Sequence, residues 1–105
     1  MSAEQMALFD ISKAERIRAE ADEWVSDNPQ AWEFMKASAR ESARNGIRFG
    51  IGALSEVVRW QMRNVRGDES FKLNNTHRAA FARRLIAEVP ECKPYIETRS
   101  SVMDI

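Results

Sequence analysis

Thiol and imidazole chemistry are nearly absent from this chain. Of its 105 residues one is cysteine, Cys92, and one is histidine, His77. A lone cysteine closes no internal disulfide, and together with a lone histidine it completes no closed structural zinc site. Other signatures are missing too. The opening stretch MSAEQMALFD has neither a basic region nor a long apolar run, so neither an export signal nor a membrane span is expected. There is no glycine-rich phosphate loop, no cysteine–histidine cluster, and no nucleophile beside a base. No carboxylate pair is singled out by its spacing. The chain is therefore expected to be neither an enzyme nor the carrier of a cofactor or metal. Arg66-Gly67-Asp68 and Asn74-Asn75-Thr76 spell an integrin tripeptide and a glycosylation sequon, but without export both are chance.

What is present suits one soluble globular domain. Hydrophobic residues make up 44% and charged residues 30% of the chain, enough for a single modest core. The net charge is zero but unevenly distributed. Residues 1–30 sum to −4, residues 31–90 to +5 and residues 91–105 to −1. A basic middle between acidic ends can mark a nucleic-acid surface, because Lys and Arg that neutralise phosphates release counterions. The excess is modest.

The apolar spacing reads as four helices. Ser12-Lys13-Ala14-Glu15 fits a capping box, which predicts a first helix over 12–26, with Ala14, Ile17, Ala21, Trp24 and Val25 on one face. Residues 1–11 are then expected to be a flexible N-terminus, and this acidic first helix an addition to the domain at 12–99. Asn28 as N-cap and Pro29 at the first helical position start a second helix, which stops at Asn45-Gly46 and buries Trp32, Met35, Ala39 and Ala43. Ile47, Phe49 and Ile51 alternate with Arg48 and Gly50, predicting a short strand or extended link. A third helix spans Ala53 to about Val65, with Leu54, Val57, Val58, Met62 and Val65 inward and Arg59, Arg63 and Arg66 on the opposite side. A loop follows, within which residues 70–73 are a second candidate strand. The fourth helix, after Asn74-Asn75, buries Phe81, Ala82, Leu85, Ile86 and Val89 until Pro90 ends it. Arg78 sits on its apolar side and must reach water or a carboxylate. Residues 95–98 are a third candidate strand and 100–105 a tail. The expected fold is mainly α, four helices with up to three very short strands, loosely helix-turn-helix or winged-helix in order.

The candidate binding residues are Arg59, Trp60, Arg63, Arg66, Lys72, Asn74, Asn75 and Arg78. The arginines either line phosphates, accept acidic groups of a protein, or form a solvated helix face partly paired with Glu56. Trp60 lies beside them, outside the apolar stripe. There it stacks on a base, anchors a protein interface, or belongs to a wide buried face. The polar start of the fourth helix suits phosphate or base edges, or simply faces water as a capped end.

Asn28-Pro29, Trp32, Phe34, Gly46, Glu56-Val57-Val58-Arg59-Trp60, Phe71-Lys72-Leu73-Asn74-Asn75, Ala82-Arg83, Pro90 and Ile96-Glu97-Thr98-Arg99 together resemble a group of small uncharacterised proteins encoded by tailed bacteriophages and prophages. The resemblance covers residues 28–99 and implies a setting, the bacterial cytoplasm, with action on nucleic acid or on a host defence. The residues and this setting together lead to two expectations. The first is DNA binding through the basic face of the third and fourth helices. The second is a small inhibitor or adaptor that binds a host protein, such as a component of a CRISPR or other anti-phage system. A homodimer is compatible with either, since paired helix-turn-helix units and alanine-lined faces favour it.

Overall fold

The computed structural model describes residues 3–97, with side chains from Ile11 onward. The tail at 100–105 and the last residues of the matched run, Thr98 and Arg99, lie outside the described residues. Helix α1 spans Ala3–Asp27, α2 Pro29–Arg44, α3 Ile51–Trp60 and α4 Arg78–Glu88. Two two-residue strands, β1 Phe49–Gly50 and β2 Ile96–Glu97, pair in parallel, with Phe49 opposite Ile96. The fold is thus mainly α, as the spacing predicts.

Helix α1 begins nine residues before the expected capping box. Residues 3–11 contain neither Gly nor Pro and are rich in Ala, Glu, Gln, Met and Leu, so a helix nucleated further on extends back through them. Ser12 inside a helix costs only a few tenths of a kcal/mol, too little to stop it. Ala14, Ile17, Ala21 and Val25 are buried and Trp24 is half-buried, as their period requires.

At the α1–α2 joint Pro29 forces Asn28 off helical geometry, to φ −129° and ψ 58°. The Asn28 side chain does not cap α2. Its Nδ2 donates to Trp24 O at 2.9 Å, so it finishes α1 instead. Helix α2 closes with paired bonds, Gly46 N to Ala43 O at 3.1 Å and Ile47 N to Ser42 O at 2.9 Å. This Schellman geometry needs the left-handed backbone that Gly46 adopts at φ +66°.

Helix α3 continues into a π turn at Gln61–Val65. Leu54, Ser55, Val58 and Met62 are buried, and the Ser55 hydroxyl is satisfied by Ile51 O at 2.7 Å. Val57 and Val65, expected inside, are 50% and 58% exposed. Leu54, Val58 and Met62 already fill the seam, and Val57 lies outside that arc. In an unbroken α-helix Val65 would fall about 20° from Leu54 around the axis. A π turn advances less per residue and swings it outward.

The candidate strand at 70–73 does not form. Phe71 and Leu73 are buried and Lys72 is exposed, so the period of two is real, but the backbone carbonyls find side chains rather than a neighbouring strand. Trp24 Nε1 donates to Lys72 O at 2.8 Å. Arg63 donates to Phe71 O from Nε at 3.2 Å and Nη2 at 3.0 Å, and Arg59 Nη2 donates to Leu73 O at 2.9 Å. Phe81 sits at the centre of the core, with ring centroids 5.0 Å from Trp24, 6.1 Å from Trp32 and 5.9 Å from His77.

Candidate functional site

Six of the eight residues singled out by the sequence fall into three groups, with Arg66 and Lys72 apart from them. Arg59, Arg63, Asn74 and Asn75 build the connection between α3 and α4. Besides Leu73 O, Arg59 reaches Asn75 Oδ1 at 3.3 Å and forms a short contact with Glu56. Asn74 Oδ1 accepts from Thr76 N at 2.9 Å and Thr76 Oγ1 at 2.8 Å, which starts the single 3-10 turn at Asn75–His77 before α4. The expected capping chemistry is present. Arg66 bonds Gln30 Oε1 at 2.6 Å, tying the end of the π turn to α2. The arginine ladder is therefore not simply a solvated face. All three of its guanidinium groups satisfy groups of the chain itself, an arrangement that no helical spacing announces.

Arg78 is the second group. Nη2 lies 3.3 Å from Glu56 Oε1, so it found the carboxylate its position demanded. Glu56 lies between Arg59 and Arg78, and its carboxyl is held below its ordinary value, chiefly by the Arg59 hydrogen bond.

Trp60 and its neighbours are the third group. Trp60 is 60% exposed, so it is not part of a wide buried face. Ala53, Val57 and Trp60 fall at i, i+4 and i+7 and are all exposed, giving α3 a second apolar stripe facing away from its core seam. The π turn adds Val65 to this side. At its N-terminal end the stripe borders a shallow groove of about 490 Å³ between α2 and α3, walled by Phe34, Ala37, Phe49, Leu54 and Val57. Phe34, Ala37 and Phe49 were not among the candidates. Their signal in the sequence was faint, because Phe34 lies off the buried stripe of α2 and Phe49 within the short link. Lys72 is exposed, on the connection beyond Phe71.

No family model, curated protein or solved structure matches the chain. Its geometry has to speak for itself. Among the described residues no helix is long and apolar enough to cross a membrane, and no group of three or more His, Cys, Asp and Glu is placed to hold a metal ion. His77 is buried, with Nε2 3.0 Å from Glu20 Oε2, and joins the acidic α1 to the start of α4. Cys92 is fully buried, and burial followed by the Glu91 charge pushes its thiol pKa up, away from the reactive thiolate.

Proposed function

We propose that this chain is a non-enzymatic binding protein that docks onto a protein partner through the outer face of α3, with Trp60 as its anchor. The observation that carries the reading is the 60% exposure of Trp60 in a row with Val57 and Val65. An indole left in water forgoes the stabilisation that burial of its large apolar surface provides, and Trp is the residue type most enriched at the energetic centre of interfaces. Glu56 beside Val57 and Arg66 beside Val65 in the chain are exposed and charged, as is Arg63, the composition of a polar rim. In the phage setting that the resemblance implies, the partner is a host cytoplasmic protein such as a component of an anti-phage defence system.

Nucleic-acid binding is the second reading. It is favoured by the +5 charge of residues 31–90 and by the exposure of Arg63, Arg66 and Lys72. It is weakened because the Arg59 and Arg63 guanidinium groups already serve backbone carbonyls.

One comparison separates the two. Affinity capture from a bacterial host lysate with the wild-type chain and Trp60→Ala should yield a partner that survives moderate salt and is lost on substitution, by about 30-fold or more in affinity. Fluorescence anisotropy with random duplex DNA should show no retention. DNA binding that falls steeply with salt and disappears in an Arg66→Glu, Lys72→Glu double variant would instead favour the second reading. Arg59 and Arg63 are left intact in this control, because their guanidinium groups bond Leu73 O and Phe71 O and so help hold the 71–75 segment.

A further inference from the structure

Five asparagines punctuate the chain, and four of them have their carboxamides tied down. Asn28 Nδ2 donates to Trp24 O at 2.9 Å, and Asn64 Nδ2 to Trp60 O at 3.1 Å. Asn74 Oδ1 accepts from Thr76 N and Thr76 Oγ1, and Asn75 Oδ1 accepts from Arg59 Nη2 at 3.3 Å. Asn45 is the exception. It is exposed at the end of α2, and its side chain has no hydrogen-bond partner among the described residues. It is also the one asparagine followed by glycine.

The residue that follows decides what an asparagine can do. The next backbone nitrogen is the nucleophile within reach of Cγ, and a side chain on that residue crowds its approach. Asn28 precedes Pro29, which has no N–H to lose, and Asn64 and Asn75 precede β-branched Val65 and Thr76. Gly46 has no Cβ, and even a Cβ there would meet nothing within 4 Å, so the space beside its nitrogen is open. One restraint remains. Gly46 N donates to Ala43 O at 3.1 Å and Ile47 N to Ser42 O at 2.9 Å, with Asn45 at ψ −1°. Those bonds close only the last turn of α2, and helix ends open far more readily than cores do. Each opening frees the nitrogen.

We propose that Asn45 is a modification site, at which the chain deamidates with water as the only co-reactant. Gly46 N gives up its proton to solvent and attacks Asn45 Cγ. The new N–Cγ bond closes a five-membered imide, and Nδ2 takes up a proton and leaves as ammonia. Water then opens the ring. Addition at Cγ gives aspartate in an unchanged backbone, whereas addition at the Asn45 backbone carbonyl carbon gives isoaspartate, whose backbone runs through Cγ and is one carbon longer. Either product sets a carboxylate at the negative end of the α2 dipole, near the exposed Glu41. The isoaspartyl product also disrupts the paired bonds that Gly46 closes. The turn leads from Ser42 to Phe49, two walls of the apolar groove, so the edge of the groove changes with it. The inference does not depend on what that groove binds.

The test is ageing of the full chain at neutral and mildly alkaline pH, followed by cleavage after glutamate, which keeps Asn45 within residues 42–56. Mass spectrometry and enzymatic methylation of isoaspartate read the products. Asn45 is expected to convert about tenfold or more faster than Asn64, Asn74 or Asn75, whose carboxamides must first leave a hydrogen bond. Its rate should rise with pH, because the attacking amide loses a proton. In the aged chain the Gly46 and Ile47 amides should exchange hydrogen faster than before. Gly46→Ala should slow conversion about tenfold or more, since its Cβ crowds the attacking nitrogen. Alanine at φ +66° strains the turn, so the same pair is also compared in urea, where only the chemistry of the step remains and the slowing should persist. Asn45 intact in the folded chain while the urea-unfolded chain converts, equal rates at Asn45 and Asn64, or no slowing by Gly46→Ala in urea would each overturn the proposal.

Discussion

Trp32 and Trp60 put the same indole to opposite uses. Trp32, on α2, is buried against Phe81. Its Nε1 donates to Glu88 Oε1 at 3.1 Å, and the Arg84 guanidinium lies 5.5 Å from the ring centroid. Glu88 in turn accepts from Arg84 Nε at 2.5 Å and lies 3.5 Å from Lys36 Nζ. Every polar edge of that ring is answered from within the chain. Trp60, on α3, has most of its surface in water. The contrast separates residues that hold the fold from residues available to something outside it, a distinction that residue type alone does not make.

Breaking the buried member should have the largest effect. Trp32→Ala is expected to cost about 3–5 kcal/mol of unfolding free energy in a urea titration, through the packing lost against Phe81 and the cavity left behind. Next come the arginines that stand in for a sheet partner. Arg63→Ala leaves Phe71 O without its fork and should cost about 1–3 kcal/mol, with faster hydrogen exchange across residues 71–75. Arg63→Lys should restore little of it, because an ammonium cannot reproduce the two-pronged geometry.

The ion cluster beneath Trp32 gives a pH signature. Burial alone would raise the Glu88 pKa, but hydrogen bonds from Arg84 and Trp32, with the charges of Arg84 and Lys36, outweigh it and hold the carboxyl below its ordinary 4.5. A depressed folded-state pKa stabilises above the unfolded value, and that contribution is lost as pH falls through the folded one. The melting temperature should therefore decline below about pH 4.5, and Glu88→Gln should flatten that decline. The smallest effect belongs to the exposed ring. Trp60→Ala should change stability by less than about 0.5 kcal/mol. It should also remove most acrylamide-quenchable fluorescence, and a larger stability loss would mean that Trp60 belongs to the core after all.

The helical faces were legible because burial on a helix has a period. Ala14, Ile17 and Ala21 on α1, Trp32, Met35 and Ala39 on α2, and Phe81, Leu85 and Val89 around α4 are all buried as their spacing requires. The two strand candidates that formed, at Phe49–Gly50 and Ile96–Glu97, were legible as short alternating runs, but their partnership across the chain was not. The roles of Arg59 and Arg63 were hidden for another reason. A side chain that bonds a carbonyl eight or fourteen residues away leaves no trace in local periodicity. Likewise Arg48 and Arg78 come to line one cleft only after β1 and β2 have paired and α3 has packed on α4.

The π turn at Gln61–Val65 makes the chain unequally tolerant of changes in length. A π turn is equivalent to an α-helix carrying one surplus residue, so deleting Asn64 would let the helix revert to α while Trp60 before it and Arg66 after it keep their bearings. The same deletion made at Val58 would rotate one end of α3 by about 100° against the other, parting Arg59 from Leu73 and carrying Trp60 off its stripe. A single-residue deletion scan across 53–66 should therefore find its most permissive stretch where the helix is widest, and viable length variants of this chain should differ there.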